Sequence, residues 1–388
     1  MVSPPMKETI LILGGGVGGL VAANTLRRSL PKTNRVILVE REPSFVFAPS
    51  FLWLLTGART AAAISRPLAR LERKGIEVVR GEIERIDPGR REAVVGGRTL
   101  TGDFVVVALG AELDAAAVPG LDQAGHNFYC LAGAERLRDA FAVFAGGRIA
   151  VLTAAPAYKC PAAPYEAAML LEAACRARKI RDKTQIDVYA AEPVPMGVAG
   201  PDVSRGVVEL LEQKGIVYHP GNQVVRADAG AKRLTFADGA EADFDLLAFV
   251  PPHRAPRVVR ESGLCAESGW IPVNRHSLET KFEHVYAVGD VATIPLSIGK
   301  PLPKAGVFAH AEAEVVAANI AAAITGRGKP AVFDGQGDCF LETGNGRAGI
   351  GRGNFYAEPA PQVKLQPPAR RWHAAKILFE KRWLRRWF

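Results

Sequence analysis

Several residue types are scarce in this sequence. Its 388 residues include five cysteines, four methionines and seven histidines, and aromatic residues make up 7%. The opening Met1-Val2-Ser3-Pro4-Pro5-Met6-Lys7-Glu8 lacks an apolar stretch ending in a small-residue cleavage site, so no export signal is expected. Without one, five cysteines read as reduced or catalytic thiols and not as a disulfide framework. No unbroken apolar run reaches the ~18 residues that a membrane span needs. The nearest, around 315–325, is alanine-rich, follows Glu312 and Glu314, and reads as a buried helix. Broad excess charge is missing too. Basic residues exceed acidic ones by nine, and 370–388 alone supply six of that excess. The rest is nearly balanced, which argues against a nucleic-acid surface. No metal site is expected.

What is present is an apolar, globular composition and an internal repeat. Hydrophobic residues make up 48% and charged residues 23%, and the length leaves room for two or three domains. A strand at 9–13 runs into Gly14-Gly15-Gly16-Val17-Gly18-Gly19 and a helix, then a strand at 35–40 ends in Glu40. A Lys74-Gly75-Ile76 turn follows, and the unit closes on the apolar stretch 103–110. The same order recurs from Ile149: a strand at 185–190, a Lys214-Gly215-Ile216 turn, and a closing stretch at 243–251. In both units the second strand runs on to Glu-Pro, at Glu42-Pro43 and Glu192-Pro193. The expected fold class is α/β, with two Rossmann-like dinucleotide-binding domains, the second inserted in the first. A C-terminal domain ending in an amphipathic helix completes it. The expected spans are 1–112 with 275–325, then 113–274, then 326–388.

Gly14-x-Gly16-x-x-Gly19 follows a strand, opens a helix and has Glu40 about 20 residues on. Such glycines let a pyrophosphate approach the backbone, the helix N-terminus stabilises its charge, and the acid accepts from a ribose hydroxyl. Val17, Gly18, Arg41, Ala108 and Gly110 are expected in the same site. Gly289-Asp290 at a strand end, with Lys304, Ala305 and Gly306 opening a helix, resembles the FAD domain of the two-dinucleotide-domain flavoproteins. That resemblance implies FAD, with backbone near Ile83 at the adenine and the helix N-terminus, with Lys304, at the flavin's pyrimidine edge.

The second unit has lost its nucleotide signature. Where the first has three glycines it reads Ala154-Ala155-Pro156-Ala157-Tyr158-Lys159-Cys160, and where the first has Glu40 it has Ala190. Productive NAD(P)H binding is therefore not expected there. Cys160 instead offers a redox thiol, with Lys159 and the following helix N-terminus favouring its thiolate and Glu166 placed to handle a proton.

The stretch Lys159-Cys160-Pro161-Ala162-Ala163-Pro164-Tyr165-Glu166, with Cys130, Cys339, the Pro303–Gly306 turn and the closing segment 372–381, resembles sulfide:quinone oxidoreductases. Part of it is shared with the flavoprotein of flavocytochrome c sulfide dehydrogenase. The resemblance covers essentially the whole chain. It implies that Cys160 and Cys339 flank the flavin and carry sulfur between them, with Cys130 assisting. It also implies sulfide and quinone as substrates and a homo-oligomer. The two histidines of the family pattern are missing from 131–135 and 196–200. Phe340, Phe355 and Tyr356 are the aromatic candidates for the quinone. Trp372, Phe379, Trp383 and Trp387 share one face of the last helix, interrupted by Lys376, which reads as a helix lying in a membrane interface. A peripheral membrane protein on the cytoplasmic face is the resulting expectation. A related flavoprotein with another donor (a thiol or NADH) or a flavocytochrome c sulfide dehydrogenase-like subunit, and a persulfide carrier with structural FAD, remain alternatives.

Overall fold

The computed structural model describes residues 7–388, so the reading of the first six residues lies outside it. The first sheet has five parallel strands, in the order Val285–Ala287, Phe104–Val107, Thr9–Leu13, Arg35–Glu40 and Glu77–Arg80. Its central strands are buried on both faces, which is why they read as unbroken apolar runs. The second sheet repeats this order with His126–Asn127, Leu246–Val250, Gly147–Thr153, Thr184–Ala190 and Val217–His219. Each unit also carries a three-stranded antiparallel meander, starting at Ile83–Asp87 in one and Val224–Asp228 in the other.

Between its first and last strands, the first sheet gives way to the whole of the second. The two passages between units lie side by side. Glu112–Leu113 and His253–Arg254 form an antiparallel ladder, with Leu113 opposite His253. Cys130 does not sit in a free linker: it caps the helix Leu131–Val143, just past the edge strand of the second sheet.

Gly306–Thr325 forms one helix, the only one among the described residues long and apolar enough to cross a membrane by composition. Phe308, Ala313, Val316, Ala317 and Ile320 on it are buried in the main core. Three antiparallel strands follow, Gln336–Gly344, Arg347–Asn354 and Gln362–Ala369, and then the terminal helix Arg370–Trp387.

That helix departs from its expected placement. Trp383 and Trp387 are buried against the protein, not presented outward. Trp383 stacks on Phe45 at 5.2 Å and meets Phe47 at 5.1 Å. Its indole N–H donates to Nδ1 of His310, at 3.1 Å. A tryptophan face satisfies either lipid or protein, and the sequence pattern does not distinguish them. Of the apolar residues on this helix, Leu378 and Phe379 remain exposed, at 46% and 40%.

Candidate functional site

The glycine turn is built by close approaches. Gly14 has φ +103°, and a Cβ there would meet the Ala108 carbonyl oxygen at 2.5 Å. A Cβ on Gly19 would lie 1.8 Å from the Gly14 oxygen, and one on Gly18 would lie 2.9 Å from Val288. Gly16 differs: nothing lies within 4 Å of its Cβ position, so the turn opens there. It caps the helix Val17–Ser29, whose N-terminus has neither a side-chain acceptor nor an acid in its first turn. An anion is what that N-terminus lacks. Glu40 faces the turn, accepting from the Gly15 N–H at 2.7 Å and the Glu42 N–H at 3.0 Å. Ile83 is buried beside this strand end, whereas Arg41 turns to solvent and pairs with Glu82 at 3.4 Å.

Gly110 has φ +64° and open space around it, and with Ala108 it lies just past the strand Phe104–Val107. Opposite, the Gly289 N–H donates to Glu312 at 2.6 Å. Ala305 caps the long helix with no side-chain acceptor. Gly289, Lys304, Ala305 and Glu312 share one cavity. An open glycine cradle, a carboxylate beside it and an uncapped second helix fit FAD, and these residues would hold it.

Lys304 is placed differently from expectation. Its ammonium donates to the carbonyls of Asp290 (2.6 Å) and Ala292 (3.1 Å) and lies 3.5 Å from the centre of the Trp270 ring. It fastens the strand end; what it offers the ring edge is position. Burial lowers it to about 8, with Asp290 and Glu312 opposing. Burial also raises Glu312 to about 7.

The turn of the second unit is filled by its own side chains. Glu192 accepts from the hydroxyls of Thr153 at 2.6 Å, Tyr165 at 2.6 Å and Tyr158. The strand register pairs Thr153 with Ala190 as it pairs Leu13 with Val39, so the counterpart of Glu40 is Ala191, one residue past the expected Ala190. Two tyrosines and a displaced acid occupy the place where glycines would admit a dinucleotide.

Cys160 stands at φ +50° in this turn. Its N–H donates to the Lys304 carbonyl at 2.6 Å, and its carbonyl accepts from the Tyr129 hydroxyl at 3.0 Å. The cysteine turn of the second unit is thus bonded to the helix entry of the first. Cys339 arrives on the strand Gln336–Gly344, near enough that its charge raises the Cys160 thiol. Cys130 is not joined to them: its thiol turns to the Asn127 carbonyl, at 3.5 Å.

Beneath the two cysteines lies a buried ionic chain. Glu166 accepts from the Lys376 ammonium at 3.0 Å and from the Glu342 N–H at 2.7 Å. Lys376 also lies 4.0 Å from the Glu342 carboxylate, which pairs with His373 at 3.0 Å. The Trp53 ring lies between Lys376 and Arg59, and Arg59 holds Glu380 at 2.9 Å. Burial works against the Lys376 ammonium, and Glu166 and Glu342 outweigh it, so its pKa is raised.

This environment overturns the expected low-pKa thiol. Burial pushes Cys160 well above its ordinary range, with Cys339 and Glu166 adding and Lys376 opposing. Burial pushes Cys339 up to about 12, with Glu166 adding and Lys376 opposing. Lys159 acts elsewhere, on His253. Both thiols hold their protons near neutral pH, so neither is a ready nucleophile when reduced.

Glu342, His373 and Lys376 were missed as a functional group by sequence reasoning. One signal was available, since a lysine in the apolar face of a helix requires buried anions. Of the aromatic candidates, Phe340 faces Phe379 at 6.3 Å, and Phe379 faces Phe47 at 6.1 Å. Phe355 and Tyr356 pack inward, on Phe308 and Phe333.

Comparison with known proteins agrees with this architecture. The family model for pyridine nucleotide-disulphide oxidoreductases matches residues 8–313. A sulfide-quinone reductase from Aquifex aeolicus is 28% identical, over 98% of this chain and 91% of its own. The mitochondrial sulfide:quinone oxidoreductase of Mus musculus is 21% identical, over 90% of this chain and 79% of its own. The solved structure of the Aquifex aeolicus sulfide:quinone oxidoreductase superposes with a TM-score of 0.88 at 25% identity, covering 98% of this chain and 91% of that one. With an open glycine cradle in its first unit, an obstructed one in its second and a family match across most of its length, the chain belongs to the pyridine nucleotide-disulphide oxidoreductases and holds FAD.

Proposed function

We propose that this protein oxidises sulfide at Cys160 and Cys339 and passes the electrons to a quinone. The observation that carries this is the approach of two half-buried cysteines from different domains, over the Glu166–Lys376 pair, with Cys160 bonded to the carbonyl of Lys304. A dithiol that keeps its protons makes a poor attacking group, so the nucleophile must be the substrate. Hydrosulfide attacks the oxidised Cys160–Cys339 pair: one S–S bond forms, another breaks, and a persulfide and a thiolate result. Lys376, which lowers both thiols, stabilises that thiolate. FAD held by the glycine cradle and the Lys304–Gly306 helix entry would supply the two-electron acceptor that links this pair to the quinone.

The relatives named above carry sulfide and quinone in their names, and Tyr158, Tyr165 and Glu192 close the alternative nicotinamide route. Phe47, Phe340 and Phe379 form the aromatic wall best placed for a quinone ring, beside Lys376. The exposed Leu378 and Phe379, with Arg371, Lys381, Arg382 and Arg385 around them, would lay this wall on an anionic lipid surface.

The test is anaerobic. Sulfide should bleach the yellow holoprotein and a soluble quinone should restore it. Cys160→Ser should retain FAD and lose the bleaching. Bleaching by NADH and not by sulfide would sink this reading.

A further inference from the structure

His253 lies where the two passages between units run side by side, opposite Leu113. Its Nδ1 meets the Pro251 carbonyl at 2.8 Å. A carbonyl only accepts, so Nδ1 carries the proton and Nε2 a lone pair. Nε2 is buried and has no hydrogen-bond partner. A buried acceptor without a donor costs free energy unless something else donates to it.

Its surroundings tie it to the cysteine turn. The Tyr129 ring stands edge-on to the imidazole at 5.7 Å, and the same tyrosine's hydroxyl holds the Cys160 carbonyl. Burial, then Lys159 from the cysteine turn and Lys304 from the helix entry, depress His253 to about 4, and only its bond to Pro251 opposes them. The imidazole is thus neutral across the working range, chiefly through burial, with the two cations adding to it. An anion arriving beside the ring opposes the lysines and favours the protonated imidazole.

We propose that His253 is a catalytic base: hydrogen sulfide is held at the seam as hydrosulfide, with its proton on Nε2. This rests on the functional reading above. The S–H bond breaks, the N–H bond forms, and the sulfur lone pair is free to attack the oxidised cysteine pair. Lys159 stabilises the anion, and as it leaves for Cys160 the buried ring gives up the proton again.

The sulfide half-reaction of the holoprotein tests this. His253→Asn keeps a donor for the Pro251 carbonyl and removes the lone pair. Bleaching should slow by about 10²-fold or more, with reoxidation by quinone unchanged. Added imidazole should restore part of the rate in His253→Ala. Bleaching of His253→Asn within about two-fold of wild type from pH 6 to 8 overturns the assignment. A second readout is independent of turnover: ¹⁵N-imidazole spectra of the holoprotein should show Nε2 unprotonated, then protonated as sulfide is added. An Nε2 signal unmoved by saturating sulfide overturns the inference even if the wild type is bleached. A wild type that sulfide does not bleach overturns the functional reading instead, and the nitrogen spectra then decide on His253 alone.

Discussion

Lys376 carries more than its place in the sequence suggests. It is a buried ammonium with Glu166 and Glu342 as counter-ions, and removing one member of a buried pair strands the others. Lys376→Met should lower the stability of the holoprotein by ~3–5 kcal/mol, read from its urea midpoint. Pairing it with Glu166→Gln should recover part of that loss, because one stranded carboxylate is then gone. The thiols respond as well. Lys376 opposes burial at both Cys160 and Cys339. Without it their pKa values rise further, so the pH profile for iodoacetamide alkylation of the reduced protein should move to higher pH. An unmoved profile would remove Lys376 from the thiol chemistry and leave it a packing residue.

At the scale of the element, the terminal helix joins the three parts of the chain. Its inner face brings Lys376 to Glu166 of the second unit, Glu380 to Arg59 of the first, and His373 to the C-terminal sheet. Trp383 and Trp387 complete the contact from within the core. Trp383→Ala should therefore cost ~3–5 kcal/mol, a core-sized penalty visible as a large fall in melting temperature. Phe379→Ser, on the outward side, should leave stability within about 0.5 kcal/mol of wild type. If the opposite order is measured, the helix is held by lipid and not by protein. The terminal pattern of Trp, Phe and Arg was legible as amphipathic. Which side faced the protein was not, because Phe45, Phe47 and His310 come from distant segments.

For the whole molecule, the doubly wound repeat was the most legible feature. Unbroken apolar strands such as Phe104–Val107, and glycine turns at matching offsets, carry it locally. Gly14, Gly16, Glu40 and Cys160 could be placed because each is read against its own strand. The ionic chain and His253 could not be, since each depends on segments hundreds or tens of residues apart meeting at one seam. That seam is closed by two kinds of bond, the ladder between Glu112–Leu113 and His253–Arg254, and the Cys160 N–H on the Lys304 carbonyl. Small-angle scattering should accordingly give the same radius of gyration for the oxidised and sulfide-reduced holoprotein. A shift beyond experimental error would mean that the units swing during turnover.

The bond from Cys160 to Lys304 sets how the catalyst must move its cargo. Two lobes riveted at the reacting centre cannot ferry a substrate by opening and shutting. In the proposed reaction, travel would be left to the sulfur itself, handed from Cys160 to Cys339. A growing sulfur chain would then find only the space between walls held at that bond, so its length at release would follow from the protein and not from the sulfide supplied.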